Sequence, residues 1–169
     1  MTDEDIRGAL KTGFPPVFRS DAKLLIVGSF PGELSLTAQR YYAHPRNQFR
    51  VLLGRVIGCN LRELDYAVRL EQLLKNRIAL WDMAASARRE GSLDIHLHVN
   101  SYADVAGLTA ALPELRAIAF NGGKAARLGQ GLALLPSVTA IALPSSSPAN
   151  TASLQSKQVV WDQLAQFLV

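Results

Sequence analysis

The chain has 169 residues, of which 49% are apolar and 19% charged, and a formal net charge of +4. It is long enough for a buried core without covalent staples and too apolar for a disordered polymer, and no apolar run nears the roughly 18 residues of a membrane span. Cys59 is the one cysteine, which excludes an internal disulfide and a cysteine-held iron–sulfur cluster, and the acidic start Met1-Thr2-Asp3-Glu4-Asp5 is unlike a signal peptide, so a cytoplasmic protein is expected.

In chain order, Asp3 to Lys11 reads as a short helix ended by Phe14-Pro15-Pro16, so residues 1–22 form a helix and lead-in to a single domain over 1–169. Lys23 to Val27 reads as a strand covered on both faces. It empties at Gly28 into a loop that runs to about Asn47, and a loop of roughly fifteen to twenty residues is uncommon in a compact domain unless it binds or catalyses. Phe49, Leu52, Leu53, Val56 and Ile57 repeat at helical spacing, with Gly58 as the stop. A helix is expected from Leu61 to Lys75 and a strand from Ile78 to Leu80. Trp81 to Asn100 is too polar and small at mixed spacing to be plain core, and reads as a second site loop. Tyr102 to Leu112 then reads as helix, Ala117 to Phe120 as strand, Lys124 to Leu135 as a glycine-interrupted helix and Val138 to Leu143 as a fourth strand. Pro144 to Asn150 is a third loop, and the last helix carries Val160, Trp161, Leu164, Phe167 and Leu168 on one face.

Apolar strands alternating with helices predict a three-layer α/β domain with a parallel sheet. Ligands of such sheets bind beyond the carboxyl ends of the strands, and every unusual loop of this chain follows a strand. Charge is distributed unevenly over this plan. No carboxylate lies between Glu33 and Glu63, while Arg40, Arg46, Arg50, Arg55 and Arg62 all do. Such a one-sign patch suits phosphate, because the guanidinium fork donates two hydrogen bonds at once; a solvated helix face is the plainer alternative. His96 and His98 would share a strand face, but no cysteine or carboxylate set at ligand spacing accompanies them, so no metal is expected.

Four segments together carry a family resemblance: Gly28-Ser29-Phe30-Pro31-Gly32 with Ser35-Leu36; Tyr41-Tyr42-Ala43-His44-Pro45-Arg46-Asn47-Gln48-Phe49; Trp81-Asp82 followed by Gly91-Ser92-Leu93-Asp94; and Pro144-Ser145-Ser146-Ser147-Pro148-Ala149-Asn150. In that order, each after an expected strand, they resemble the uracil-DNA glycosylase superfamily and within it the hypoxanthine-DNA glycosylase and mismatch-type branch. The resemblance runs from Leu24 to Phe167. It implies a four-stranded parallel sheet between helices, and hydrolysis of the N-glycosidic bond of a deaminated base, hypoxanthine or uracil, leaving an abasic site. It implies DNA with a deaminated or mismatched base as partner, no cofactor, no membrane and a monomer. A non-catalytic damage-binding module of the same fold is the alternative; a nucleoside hydrolase is weaker still, since Gly28 to Gly32 lacks a phosphate-loop lysine.

The resemblance also distributes roles. Tyr42, with Tyr41 as the lesser alternative, falls where related enzymes place an aromatic ring against the flipped base, an interaction worth roughly 1 to 3 kcal/mol, and Phe30 is a further base contact. Relatives carry a carboxylate or an asparagine after the first glycine of the first segment; Ser29 and Phe30 stand there instead, and Asn47 is the implied replacement. An amide orients water by accepting its hydrogen bond, and Asn47 can equally cap the helix ahead of Phe49. Asp82 and Asp94 are the other catalytic candidates, as carboxylates that position water or offset positive charge, and Asp82 can instead read the base edge. Ser86, Ser92 and Asn121 are edge or water contacts. Arg46, Arg50, Ser145, Ser146, Ser147 and Asn150 are the expected DNA contacts, the serine loop meeting phosphate or wedging into the duplex. Two departures from the pattern stand out: no histidine opens the last segment, which shifts weight from uracil to hypoxanthine or another deaminated base, and Arg50 replaces the usual tryptophan. No lysine stands out as a Schiff-base nucleophile, so monofunctional hydrolysis is expected.

Overall fold

The computed structural model describes residues 8–169. Strands β3 (Ile78–Asp82), β2 (Leu24–Gly28), β6 (Ala117–Asn121) and β7 (Thr139–Leu143) lie side by side in that order, all parallel. Leu24 to Val27 are each 0% exposed. An uninterrupted apolar strand is stable only where both sheet faces are covered, and here they are. On one face Leu24 and Ile26 join Ile78, Leu80, Ala117 and Ala119 under helices α2 (Phe49–Ile57), α3 (Tyr66–Lys75) and α6 (Leu154–Trp161), which contribute Phe49, Leu52, Leu53, Leu73 and Trp161. On the other, Leu25 and Val27 join Ala79, Ile118 and Phe120 under α4 (Val105–Ala110) and α5 (Gly123–Gly129), which contribute Val105, Leu108 and Ala125. The period of two along each strand thus feeds two separate cores, one per face. This is the three-layer architecture with a four-stranded parallel sheet that the strand and helix pattern predicts.

The segment before β2 is anchored twice. Val17 bridges Leu80 antiparallel through two 2.9 Å backbone hydrogen bonds, covering the open edge of β3. Upstream of it β1 (Leu10–Thr12) joins β4 (Ala84–Arg88) and β5 (His98–Tyr102) in an antiparallel sheet of order β1-β4-β5. The two sheets meet where Met83 N–H donates to Gly28 O at 2.8 Å and Ala84 N–H to Ser29 O at 3.0 Å.

Several expected elements are corrected. The N-terminal helix falls largely outside the described residues, and Leu10 and Lys11 lie in β1 instead. Trp81 to Asn100 is not one loop: β3 runs on to Asp82, and a hairpin takes up β4 and most of β5, leaving about Arg89 to Leu97 irregular. Its small and polar residues hide the period of two, and shifts of register between Ala84, Ser86 and Ala87 blur it further. Tyr102 belongs to β5, paired with Ala84, so α4 starts only after Asp104, whose carboxylate accepts from Gly107 N–H. Helix 124–135 stops at Gly129, next to the glycine-rich Gly129-Gln130-Gly131. The helix expected over 61–75 divides into a 3-10 turn (Leu61–Glu63) and α3, and the first long loop contains a short helix, α1 (Glu33–Ala38). Gly58, in contrast, ends α2 as expected, at φ 68° with its N–H on Gly54 O.

Trp161 is fully buried between α2 and the sheet, and its indole N–H donates to Pro144 O at 3.0 Å. Trp161→Ala is expected to lower unfolding stability by about 3–5 kcal/mol, and Trp161→Phe, which removes chiefly the hydrogen bond, by about 1 kcal/mol, in denaturant titrations.

Candidate active site

Parallel pairing puts Gly28, Asp82, Asn121 and Leu143 at one edge of the sheet, because β2, β3, β6 and β7 all end there. A cavity of about 430 Å³ opens on that edge, lined by the loops that follow these strands.

Its floor is built on a missing side chain. Gly28 is paired with Asp82, and a Cβ on Gly28 would lie 2.5 Å from Asp82 Oδ1 and 3.5 Å from the Tyr42 hydroxyl. Only glycine lets the carboxyl fold over the end of the central strand. Asp82 is 5% exposed, and its Oδ2 and the Tyr42 hydroxyl have no hydrogen-bond partner among the described residues. Burial pushes the Asp82 carboxyl up to about 7 and the nearby Asp94 adds to the rise, while Arg89 and the Gly28 backbone oppose it. Burial likewise pushes the Tyr42 phenol above its ordinary value, reinforced by Asp82 and opposed by the Asn121 side chain, which stands near the hydroxyl without closing a well-formed hydrogen bond.

Tyr42 is held at φ 54°, a left-handed conformation that costs a bulky residue about 1–3 kcal/mol and persists only where its surroundings impose it. Here they do. Tyr41 N–H donates to the Tyr66 hydroxyl, Tyr41 hydroxyl to Pro15 O, and Ala43 N–H to the Ser35 hydroxyl, at 2.9–3.1 Å. The Tyr42 ring stacks on Phe49, with centroids 3.9 Å apart and planes 11° apart. Both tyrosines line the cavity and pack on the same core; Tyr41 is the more buried, and Tyr42 has one ring face already covered.

Asn47 lines the cavity, and its Oδ1 accepts from Phe49 N–H at 2.9 Å. The N-cap of α2 is Gln48 and not Asn47; the Asn47 bond is a local Asx-type turn that leads into the helix, and it leaves the Nδ2 end of the amide and the second oxygen lone pair for other partners. Asp94 comes from the loop between β4 and β5. Its Oδ1 accepts from the Ser29 hydroxyl at 2.7 Å and stands 3.9 Å from Arg89 Nη1. Ser29, in the first loop, thus holds a carboxylate supplied by another loop. The buried Arg89, which sequence reasoning missed, donates to Pro31 O and Gly91 O and lies over the Phe30 ring at 5.7 Å. Nothing in the sequence marked it, because its neighbours Arg88 and Glu90 are equally polar.

The third loop is tied to the first. Ser146 is 1% exposed; its N–H donates to Asn121 Oδ1, its hydroxyl accepts from Asn121 Nδ2, and its carbonyl accepts from Gln48 N–H. Buried Lys157 donates to Gln48 Oε1 at 2.8 Å and Asn150 O at 2.9 Å. Ser146 thereby ties β6 to the loop, and Asn121 spends much of its hydrogen-bonding capacity on it. Ser145, Ser147 and Asn150 line the cavity, as do Phe30 and Ser92. Ser86 does not: it lies in β4, with its hydroxyl 2.6 Å from that of Ser101. His98 opens β5 and His96 lies in a 3-10 turn, so the two do not share one strand face. Among the described residues no group of three or more His, Cys, Asp or Glu could hold a metal ion.

Basic residues reach the site from two sides. Lys124 and Arg127 of α5 line the cavity, a contribution hidden in the sequence because α5 meets the site only through the β6–β7 crossover. The arginine patch divides: Arg40 lies over the Tyr66 ring, Arg46 is exposed, and Arg50, Arg55 and Arg62 line a second concavity of about 420 Å³. Arg50 also donates to His44 O at 2.8 Å, which joins that concavity to the loop carrying Asn47.

A doubly wound α/β domain with a cavity at its carboxyl edge, lined by apolar surface and a few convergent polar groups, and with basic residues beside it defines the class of protein. The sequence model of the Uracil DNA glycosylase superfamily matches residues 15–165. The chain is 39% identical over 151 residues to a hypoxanthine DNA glycosylase of Methanosarcina barkeri, covering 89% of this chain and 95% of that one. It is likewise 39% identical over 153 residues to a hypoxanthine DNA glycosylase of Methanosarcina acetivorans, covering 90% and 96%. An NMR structure of a Methanosarcina acetivorans protein described as a candidate uracil DNA glycosylase superposes with a TM-score of 0.82 at 37% identity, covering 95% of this chain and 99% of that one. The chain belongs to the uracil DNA glycosylase superfamily.

Because the folded Asp82 carboxyl is raised from 3.8 to about 7, the stability tied to its protonated form is fully present below pH 3.8 and is lost as pH rises through 7. Asp82→Asn is expected to flatten that fall, giving a melting temperature less dependent on pH between about 4 and 7 than that of the unaltered chain.

Proposed function

We propose that this chain is a DNA glycosylase that removes a deaminated base, hypoxanthine foremost, by hydrolysing its N-glycosidic bond and leaving the strand intact at an abasic site. The observation that carries the reading is the pair of buried, unpartnered oxygens, Asp82 Oδ2 and the Tyr42 hydroxyl, at the floor of a cavity on the carboxyl edge of this fold. Buried polar groups without partners are rare and call for a ligand. A base turned out of the stack supplies donors and acceptors on its edge and apolar faces for Phe30 and Tyr42. The two Methanosarcina relatives bear the name of the hypoxanthine enzyme, which directs the choice of base.

In this reading the base leaves with the bonding electron pair, the sugar passes through an oxocarbenium-like state that water captures, and the proton the water gives up balances the one the departed base takes on. Asn47, which faces the cavity while its Oδ1 is fixed by Phe49 N–H, orients the water. Asp94, fixed by the Ser29 hydroxyl, offsets the positive charge of the sugar. Asp82, buried and titrating near 7, holds or accepts a proton at the base edge, with Asn121 and Ser92 as further polar contacts. Ser145, Ser147 and Asn150 with Lys124 and Arg127, which line the cavity, face the strand that bears the base, and exposed Arg46 and Arg50 of the second concavity meet its backbone further along. The protein acts as a monomer in the cytoplasm. No helix among the described residues is long and apolar enough to cross a membrane.

A duplex panel carrying hypoxanthine, uracil, xanthine or a thymine mispair, treated with protein and then hot alkali, is expected to break at hypoxanthine; intact duplexes throughout would refute the reading. Asn47→Ala is expected to slow single-turnover excision about a hundredfold while abasic-duplex binding stays nearly unchanged, and to cost about 1 kcal/mol of stability through loss of the hydrogen bond from Phe49 N–H. Asn47→Asp keeps the oxygen that accepts from Phe49 N–H, so recovery of stability without recovery of rate separates the two roles.

Duplex affinity is expected to fall steeply with salt. Arg46→Ala and Arg50→Ala should each lower the slope of log K against log salt by about 0.9 for every phosphate the arginine neutralises, as measured by fluorescence anisotropy.

A further inference from the structure

Among the acidic groups of the site stands one buried cation, Arg89, whose side chain is 3% exposed. Its fork is fixed by two backbone carbonyls, with Nε donating to Gly91 O at 2.9 Å and Nη2 to Pro31 O. Its Cζ lies over the Phe30 ring, 5.7 Å from the centroid, and Nη1 is left 3.9 Å from Asp94 Oδ1, near enough for charge attraction and too far for a hydrogen bond. Tying two loops together through carbonyls takes only neutral donors. A buried guanidinium costs several kcal/mol unless anions answer it, so its charge has a task beyond the tie.

Two carboxyl groups answer it, and their settings differ. The Asp94 side chain is 41% exposed and accepts from the Ser29 hydroxyl at 2.7 Å, so a carboxylate there is met by water and a donor. Asp82 is 5% exposed and its Oδ2 has no hydrogen-bond partner among the described residues, so a proton is favoured there. Where water is excluded, one cation balances one anion, and two coupled carboxyls then share one proton. The electrostatics agree: burial and then Asp94 raise the Asp82 carboxyl to about 7, and Arg89 opposes the rise. Tyr41 and Tyr42 of the first loop are phenols that burial pushes up, and Glu33 of α1, which also acts on Arg89, is answered by Lys11 of β1 at 2.7 Å. Lys124, Arg127 and His44 line the same cavity, but Asp94 and Arg89 are the charges that act most strongly on Asp82.

We propose that Arg89 is the positioning residue of this site: its buried guanidinium is the counter-ion of the Asp94 carboxylate and leaves the one shared proton on Asp82, at the base edge. The proposal rests on the glycosylase reading. It divides two like side chains between two tasks, since a protonated carboxyl donates a hydrogen bond to a base gaining negative charge and a carboxylate offsets the positive charge of the sugar. Arg89 acts through both and needs no contact with the substrate.

The test follows single-turnover excision of hypoxanthine against pH, and beside it titrates the Asp82 carboxyl carbon by NMR in the DNA-free protein. In the unaltered chain excision is expected to fall as pH rises through about 7, where the Asp82 carbon titrates. Arg89→Met removes the charge that opposes protonation of Asp82, so both midpoints are expected to move up by about one pH unit and excision below them to slow about tenfold. Arg89→Gln, which keeps a donor for one carbonyl, is expected to give the same shift and takes its place if Arg89→Met does not fold. Arg89→Lys keeps the charge without the fork and is expected to return both midpoints close to those of the unaltered chain. Slower excision with unmoved midpoints in the neutral variants overturns the proposal and leaves Arg89 a tie between loops. So does a shift in Arg89→Lys as large as theirs, or an excision limb that stays in place while the carbon signal moves. If the unaltered chain excises nothing, the glycosylase reading falls, and the carbon titrations still show whether Arg89 sets the proton on Asp82.

Discussion

The register of β2 against β3 is the constraint on which the site depends. It sets Gly28 opposite Asp82 at the end of the central strand, where the absence of a Cβ lets a carboxyl lie over the strand terminus. A slip of one residue would exchange the two faces of β2, moving Leu24 and Ile26 into the core that now holds Leu25 and Val27, and would bring Val27 to the place of Gly28. Since β2 is wholly buried, both cores resist that slip. The packing that stabilises the sheet therefore also fixes the geometry of the cavity floor.

Around this floor the protein spends stability on polar order. Asp82 is buried without a full set of partners, Tyr42 is held in a left-handed conformation, and Lys157 is buried against an amide and a carbonyl with burial lowering its pKa. Each is unfavourable taken alone, and each is held by neighbours that are well packed or hydrogen-bonded. Such concentrations of strain and desolvated charge mark functional sites more often than structural ones. The Ser29–Asp94 hydrogen bond belongs to the same pattern, since a hydroxyl in the first loop holds a carboxylate that the chain supplies 65 positions later.

The cross-ties among loops explain why the cavity is a defined shape and not the average of mobile segments. Arg89 joins the first loop to the hairpin loop, Ser146 joins the third loop to β6 and to Gln48, and Lys157 joins α6 to both the first and third loops. Preorganisation of this kind is what a water-positioning amide needs, because small displacements of the attacking water cost large factors in rate.

The sequence by itself determined the layered α/β plan, the four buried strands, α2 with its Gly58 stop, and the collection of unusual loops at one edge. These follow from local periodicity and from the rule that parallel strands present their carboxyl ends together. The motif segments likewise pointed to the superfamily, to Asn47 and Asp82, and to Tyr42. Tertiary structure alone decided which polar residues remain available. Ser86 is drawn into a hairpin whose alternation its small residues conceal, Ser146 is tied to Asn121, and Tyr41 is buried more deeply than its neighbour. Arg89, Lys124 and Arg127 reach the cavity only through crossovers and ties between segments far apart in the chain. Whether a side chain faces a ligand or another part of the protein depends on such long-range partners, and no local pattern of residues records them.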